Sequence, residues 1–469
     1  MVPLVEIPEI VRHYAPWFTS VFSPEALIQF QRYVSGLIVS ENKTVDGINR
    51  LFVCEVRNQS SLNRLLTESP VSLEALNRAR LELLASLPGT RMEPKGVLSI
   101  DDTLLPHYGQ HFDKIALLYD STQGCYVWAH NLVNLHYSDD QTDYPVLFRL
   151  WEPADVGALE AGLQAAGIAL RPSKYELKTS APHKWRNYVM NLWRRHQHKP
   201  DVGKLYTSKL LIAQQLLEQF VTEHPDCSLP VTFDNWYTQP AFCRFLDQTL
   251  RLAYVGTLAA DDRVLLAVGP QRLEEFDRHL QAEHRQALAA GQPPVFRKIG
   301  VGYKGTKETY YSYWQTHHLE HFGKQRLVIN HRQADLTDAA TFYISNTLNW
   351  HALGITRIRR HRWPVEVYHE EGKADGLAHY QVRDFQAIER HIALVAVTYS
   401  ILRAAQHDER LLQTLQQHVK TELDGSAGRY RRNTPAHALW ALALFIATAL
   451  AQGQSLNDVM EPLSAAVAY

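Results

Sequence analysis

Cysteine is scarce in this chain, and the few cysteines present are far apart. Four cysteines are spread over 469 residues, and none forms a Cys-x-x-Cys pair. This spacing argues against a disulfide framework and a structural zinc site, and it is typical of a reducing cytosol. The HHLEH stretch at 317–321 lacks the His-Glu-x-x-His spacing of helical zinc sites, so we expect no zinc there.

An excess of charge and a long hydrophobic run are also missing. The formal net charge is −1, so the whole-chain charge does not indicate a nucleic-acid partner. Residues 1–10 lack the basic and apolar segments of an export signal, which predicts a cytoplasmic protein. The most apolar stretch, 436–450, is too short to span a bilayer and contains a histidine. It predicts a buried helix, and we expect no membrane partner.

The order of the predicted elements indicates a mixed α/β class, with strands and helices alternating in the middle of the chain and helices at both ends. A chain of this length exceeds one compact core. We expect five regions: helical N-terminal 1–94, the first part of an α/β core at 95–260, a β-rich insertion at 261–350, the second part of the core at 351–406 and a helical C-terminal region at 407–469.

Three acidic positions could carry chemistry. Asp102, or its neighbour Asp101, ends the predicted strand GVLSI, and Asp234 ends the predicted strand LPVTF. Glu366 lies in the first turn of a helix that Pro364 opens. Each acid alone also has an ordinary explanation as a turn, a cap or a helix-dipole charge. Together, carboxylates from two strand ends and a helix are the hard oxygen ligands that Mg²⁺ or Mn²⁺ requires.

The residues around Glu366 resemble the signature of DDE transposases, in the cut-and-paste insertion-sequence branch. That signature is Tyr-x-x-Arg-x-x-x-Glu-x-x-x-x-x-x-Lys. Arg362, Glu366 and Lys373 match its last three residues, whereas Arg359 stands in the tyrosine position. The resemblance implies that Arg362 and Lys373 hold DNA phosphates beside a metal site. At Arg359, the contact that the tyrosine makes in relatives is replaced or lost.

Two further segments resemble the same family. IDDT is similar to its first-aspartate motif and places that residue at Asp102, and VTFDNW is similar to the strand before the second aspartate, Asp234. The 132 residues between Asp234 and Glu366 suit the branch whose RNase H-like core contains a β-rich insertion. The resemblance therefore implies an RNase H-like fold in which Asp102, Asp234 and Glu366 are catalytic and hold two Mg²⁺ or Mn²⁺ ions.

The activity implied by this resemblance is DNA transposition. Such an enzyme cuts its mobile element at the terminal inverted repeats and joins the 3′ ends to target DNA. The implied partners are double-stranded DNA and a second copy of the chain in the active complex. The implied location is the nucleoid in the bacterial cytoplasm, and the N-terminal helices are expected to bind DNA.

A basic segment at 171–209 could contact DNA directly. It holds ten lysines and arginines against two acids, a local charge of +8, interleaved with aromatic residues. A solvated linker with buried aromatic residues explains the same pattern equally well. Within the insertion, Trp314 could stack on a base extruded from the duplex. The candidate DNA contacts in the basic segment are Lys184, Arg186, Arg194 and Arg195.

Two alternatives remain open. One is a DNA-binding protein that descends from a transposase and no longer cuts. The other is a phosphatase of the haloacid dehalogenase type with IDDTLL as its nucleophile loop. That loop needs Asp-x-Asp-x-Thr, whereas Asp101 and Asp102 are adjacent, so strand alternation would point them to opposite faces.

Overall fold

A computed structural model describes residues 2–55, 57–416 and 427–467. The N-terminal part is helical, as expected. Ser23 caps the second helix by accepting a hydrogen bond from the backbone N–H of Ala26, and Pro24 occupies its first position. The helices are α1 (Glu9–Tyr14), α2 (Pro24–Val39), α3 (Val45–Arg50), α4 (Gln59–Thr67) and α5 (Leu73–Ser86).

The core sheet has the strand order of an RNase H-like fold. Its strands are β1 (Val97–Pro106), β2 (Ala116–Asp120), β3 (Cys125–Ser138), β4 (Asp143–Trp151), β5 (Val231–Phe233) and β6 (Tyr254–Leu258). β3 is antiparallel to β1, and β2 and β4 are antiparallel to β3. β5 is parallel to β1, and β6 is parallel to β5. The order β4-β3-β1-β5-β6 confirms the expected mixed α/β core.

The insertion extends this sheet. β12 pairs with β6 on one side and with β11 on the other, so the inserted strands continue the hydrogen-bonded ladder of the core. The elements of the insertion are β7 (Arg263–Leu266), β8 (Gly269–Arg272), α12 (Leu273–Ala289), β9 (Arg297–Tyr303), β10 (Thr306–Leu319), β11 (Gly323–His331) and β12 (Thr341–Ser345).

A small helical module, residues 154–206, lies between β4 and the next core helix, α10 (Lys209–Glu223). Trp185 and Trp193 are buried in the module's own apolar core, separate from the main core. We call residues 154–206 the basic helical module. Its helices are α6 (Val156–Ala165), α7 (Leu177–Ser180), α8 (Pro182–His196) and α9 (Pro200–Gly203), and the short helix α11 (Pro240–Arg244) follows β5.

The chain after the insertion is helical. α15 is buried along most of its length, because it packs against the sheet and the N-terminal helices. The helices are α13 (Ala352–Arg360), α14 (Trp363–Ala374), α15 (Phe385–Ala405), α16 (Glu409–Gln416), α17 (Ala427–Ala451) and α18 (Leu456–Val467).

The prediction that 436–450 forms a buried helix is wrong. The stretch is helical, but Leu439, Trp440 and Leu444 are 53–60% exposed. α17 lies at the outside of the helical part and packs through one face only, so its apolar composition does not correspond to burial. Within it, Thr434–Ala451 is long and apolar enough to cross a membrane, a property that helices of soluble proteins also have.

A buried carboxylate joins the core, the insertion and α15. Asp143 accepts hydrogen bonds from Tyr399 (2.7 Å) and Arg403 (3.2 Å) of α15 and from Lys304 (2.8 Å) at the β9–β10 turn, and His136 lies 3.4 Å away. Burial alone would raise the pKa of Asp143, but Arg403, His136 and Lys304 together hold it well below its ordinary value. This network fixes the insertion against the core.

Replacing Asp143 by alanine should therefore lower the free energy of unfolding by about 3–5 kcal/mol, because it leaves the buried Arg403 with only its longer ion pair to Glu371, at 3.5 Å. The depressed pKa means that this contribution is fully present above pH ~4 and is lost only as the pH falls towards the folded-state pKa. Denaturant titrations of Asp143→Ala and of the exposed control Asp140→Ala at several pH values measure it. Equal stability of the two variants at pH 7 would contradict the role of the network.

Candidate active site

The two adjacent aspartates lie in the middle of β1. They do not end a strand, as the sequence suggests, because β1 continues to Pro106. Asp101 is opposite Asn134 of β3, whose side-chain amide lies 2.9 Å from the ring of His369 in α14. Since side chains alternate along a strand, Asp101 faces α14 and Asp102 faces the other side of the sheet.

Asp101 is linked to Glu366 through one arginine. Arg362 Nη1 donates a hydrogen bond to Asp101 Oδ2 (2.6 Å), and Nη2 of the same guanidinium contacts Glu366 Oε1. Burial and, to a smaller extent, the nearby charges of Asp234 and Asp102 raise the pKa of Asp101 to about 7 against the opposing effect of Arg362. The charges of Asp234 and Asp102 therefore both act on Asp101.

Asp102 has a different environment, on the α10 side of the sheet. Its Oδ2 accepts hydrogen bonds from Lys209 Nζ (2.9 Å) and Asn131 Nδ2 (2.6 Å), and its Oδ1 accepts one from Tyr237 Oη (2.9 Å). Lys209 Nζ also lies 4.3 Å from the ring centroid of Trp236. Asp102 is thus already balanced by a cation and two neutral donors.

Asp234 follows β5 directly, as the sequence predicts. Because β5 runs parallel to β1 with Phe233 opposite Ile100, Asp234 is level with Asp101 on the neighbouring strand. Side chains that are level on adjacent strands point to the same face of the sheet. The hydrogen bonds of Asp234 use Oδ1, which accepts from the backbone N–H groups of Trp236 (3.0 Å) and Tyr237 (3.1 Å).

Glu366 lies in the first turn of α14, with Pro364 at the helix start, as predicted. Lys373, seven residues later, is near other acids: burial lowers its pKa, while Asp120 and Glu370 oppose that effect. Lys373 therefore does not share the ion pairs of Arg362 and Glu366.

Arg359 is near the end of α13, close to Asp234 and Glu366. Its Nε donates to Thr257 Oγ1 (2.7 Å), and its guanidinium is 5.9 Å from the ring centroid of Tyr343. Burial and the charge of Arg362 lower its pKa to about 10, while the charges of Asp234 and Glu366 oppose the shift. The polar contact of Arg359 is thus to the core sheet.

The acids provide a donor set that suits a hard divalent cation. Asp101, Asp234 and Glu366 offer only carboxylate oxygens, the ligands that Mg²⁺ and Mn²⁺ prefer. Across the described ranges, no three His, Cys, Asp or Glu side chains are close enough to hold one ion. The guanidinium of Arg362 lies between two of these carboxylates and supplies positive charge there, as a bound cation would.

Residues 21–275, more than half of the chain, match the family model described as DDE superfamily endonuclease. The chain belongs to this family. The matched residues include Asp101, Asp102 and Asp234 and end before Glu366.

Further comparisons concern curated proteins and solved structures. No curated protein matches the chain. Among solved structures, it is similar to a piggyBac transposase in the cryo-EM structure of a synaptic complex with hairpin DNA. That similarity has a TM-score of 0.41 at 10% identity and covers 98% of this chain and 81% of that one.

The predicted DNA contacts in α8 are on the outside of the basic helical module. Trp185 and Trp193, which the sequence interleaves with the cations, are buried in the module's core instead. Among the described residues, none of the four cations forms an ion pair. Three of them, Lys184, Arg194 and Arg195, are exposed, and Arg186 is half-buried.

Trp314 is half-buried on β10, at a cavity of about 430 Å³ between β10 and α12. Its ring lies 4.3 Å from that of His351 and 5.6 Å from the guanidinium of Arg297. One side of Trp314 thus packs against the protein while the residue also lines the cavity. Phe276 and Tyr313 contribute to the same wall.

Two residues that the sequence does not single out shape the site. Tyr237 and Lys209 hold Asp102, and in the sequence Lys209 is only one cation of the basic segment. From the sequence, strand alternation predicts that Asp101 and Asp102 point to opposite faces of the sheet. It does not predict which of them faces α14.

If Asp102 is a structural acid held by Lys209, the two side chains should be energetically coupled. A double-mutant cycle with Lys209→Met and Asp102→Asn should give a coupling energy of about 1–2 kcal/mol in denaturant unfolding, because both groups are mostly shielded from water. The exposed pair Lys204 and Asp201 serves as the matched control and should show no measurable coupling. A zero result for the first pair would contradict the proposed role of Lys209.

Proposed function

We propose that this DDE superfamily endonuclease is a DNA transposase, which cuts the ends of its mobile element and joins the 3′ ends to target DNA. The observation that carries the proposal is the link from Asp101 through Arg362 to Glu366, with Asp234 level on the adjacent strand. It brings acids from two strands and a late helix to one face of an RNase H-like sheet. Membership of the endonuclease family supports a nucleic-acid phosphodiester as the substrate.

We assign the first metal-binding position to Asp101 and not to Asp102, the residue that the family motif indicates. Asp101 is on the α14 side with Glu366, whereas Asp102 accepts three hydrogen bonds on the α10 side. The proposed ligands of two Mg²⁺ or Mn²⁺ ions are thus Asp101, Asp234 and Glu366. Ions held there would activate the attacking water or 3′-hydroxyl and stabilise the leaving oxygen.

The chain itself supplies position and charge. Asp101 is on β1, Asp234 directly follows the neighbouring strand β5 and Glu366 is on α14, so each is positioned by a rigid element. Arg359 and Arg362 place positive charge next to the carboxylates, where they would attract the scissile phosphate. Lys373 lies further along α14, towards Asp120, where it would contact a more distant phosphate of the same strand.

The proposed partner is double-stranded DNA, at the element's terminal inverted repeats and at the target. Lys184, Arg194 and Arg195, the exposed cations of α8, form no ion pair among the described residues, so they suit phosphate contacts. Trp314, at its cavity in the insertion, is the proposed stacking site for an extruded base. We further propose that two copies act together, that the N-terminal helices add DNA contacts and that the protein works at the bacterial nucleoid.

A specific observation favours a second candidate, a DNA-binding protein without cleavage activity. Asp101 and Glu366 are both paired with Arg362, so neither is free in this arrangement. The phosphatase alternative has no such support, because Asp101 and Asp102 face opposite sides of the sheet and cannot share one nucleophile loop.

Cleavage of labelled element ends in Mg²⁺ distinguishes these candidates. Asp101→Asn, Asp234→Asn and Glu366→Gln should each reduce the cleavage rate by a factor of about 10³ or more, because each removes a charged ligand, while end binding is retained. Asp102→Asn should reduce the rate far less. Loss on Asp102→Asn with little loss on Asp101→Asn would reverse the assignment. No cleavage by the wild-type chain on its own element ends would favour the second candidate.

The basic helical module can be tested through the salt dependence of DNA binding. Replacing Lys184, Arg194 and Arg195 by glutamine should weaken binding and reduce the slope of log K against log salt by about one for each DNA phosphate that is no longer neutralised. The matched control is Lys178→Gln on the same module, because Lys178 is already paired with Glu160 at 2.6 Å. An unchanged slope in the triple variant would show that the module does not contact the DNA backbone.

A further inference from the structure

A single side chain stands between the acids of the proposed site. Arg362 Nη1 is 2.6 Å from Asp101 Oδ2, and its Nη2 contacts Glu366 Oε1, so one guanidinium spans a strand carboxylate and a helix carboxylate. Arg362 is only 12% exposed. The guanidinium therefore occupies the gap that a cation shared by these two acids would fill.

The carboxylates of Asp101 and Glu366 explain the position of the Arg362 guanidinium, whereas the start of α14 does not favour it. Arg362 is at the N-cap of α14, where the helix dipole disfavours a positive charge. Its Nε is buried and has no hydrogen-bond partner among the described residues. The position is thus maintained by the two ion pairs, which offset an unfavourable dipole and an unsatisfied donor.

Two cations cannot share this gap at low cost. Arg359, fixed to Thr257, already brings a second positive charge close to Glu366 and to Asp234. A divalent ion between Asp101 and Glu366 would repel Arg362 at contact distance in a poorly solvated site. Removing the guanidinium without replacing its charge would in turn leave like-charged carboxylates facing each other.

From these observations we infer that Arg362 is an internal stand-in for the metal ion: it neutralises Asp101 and Glu366 before metal binds, and it must leave the gap for an ion to enter. This inference rests on the proposed function, because it uses the same metal site. It adds that metal binding and the position of Arg362 exclude each other, so that the arginine becomes free for a DNA phosphate only when the ion arrives.

The inference is tested by Mn²⁺ binding to the full-length, DNA-free protein, with the free ion measured by electron paramagnetic resonance. Arg362→Met should tighten binding of the first ion by about ten-fold or more, because the wild type is mostly in the arginine-occupied state that excludes metal. Arg362→Lys should give an intermediate affinity, since one ammonium group cannot span both carboxylates. It also provides a second variant if Arg362→Met does not fold.

The matched control is Arg357→Met, from the same basic run, whose ion pair is with Asp140 away from the acids. It should bind Mn²⁺ as the wild type does. Equal or weaker affinity in both Arg362 variants, with binding lost in Glu366→Gln, would overturn the inference and leave the proposed function standing. Mn²⁺ binding that is insensitive to Glu366→Gln in every background would overturn both.

Discussion

The ion pairs of Arg362 with Asp101 and Glu366 are the interaction on which the candidate site depends. They connect the central strand of the sheet to a helix about 260 residues later in the chain. Everything between these two segments, including the basic helical module and the insertion, is accommodated without separating them. The insertion achieves this by adding its strands to the edge of the core sheet beside β6, and Asp143 fixes its β9–β10 turn to the core.

Bringing buried carboxylates together costs free energy, because their charges repel one another and lose contact with water. Nearby cations offset this cost. Burial and neighbouring acids raise the pKa of Asp101 to about 7 even with Arg362 beside it, so its charged form depends on a nearby cation. Arg362 provides that cation, and Arg359 adds positive charge close to Asp234 and Glu366. On the other side of β1, Lys209 forms an ion pair with Asp102 and offsets its negative charge. Two adjacent aspartates are thus separated by the pleat of one strand into two environments, only one of which includes Glu366.

Local features of the site and fold could be predicted from the sequence. Asp234 directly after a short apolar run and Glu366 just after a helix-opening proline follow from short-range rules, and the structure confirms both positions. The family resemblance is confirmed by the endonuclease family match. These successes share one property, because each depends on residues within a few positions of one another.

The remaining features depend on long-range contacts that a local pattern does not contain. Alternation separates Asp101 from Asp102, but only the packing of α14 and α10 decides which face each occupies. β1 continues past the aspartates because it pairs with β3 over ten residues, which a short apolar run does not show. For α17, an apolar composition predicted burial, whereas the number of neighbouring elements decides how much of a helix is covered.

The most direct test of the account is a crystal structure of the full chain soaked in Mn²⁺, with the ion located by its anomalous scattering. The account predicts a peak within coordination distance of Asp101, Asp234 and Glu366, on the α14 side of the sheet, and an Arg362 side chain turned out of the gap. A peak coordinated by Asp102 on the α10 side, or a metal ion bound while the guanidinium still bridges Asp101 and Glu366, would contradict it.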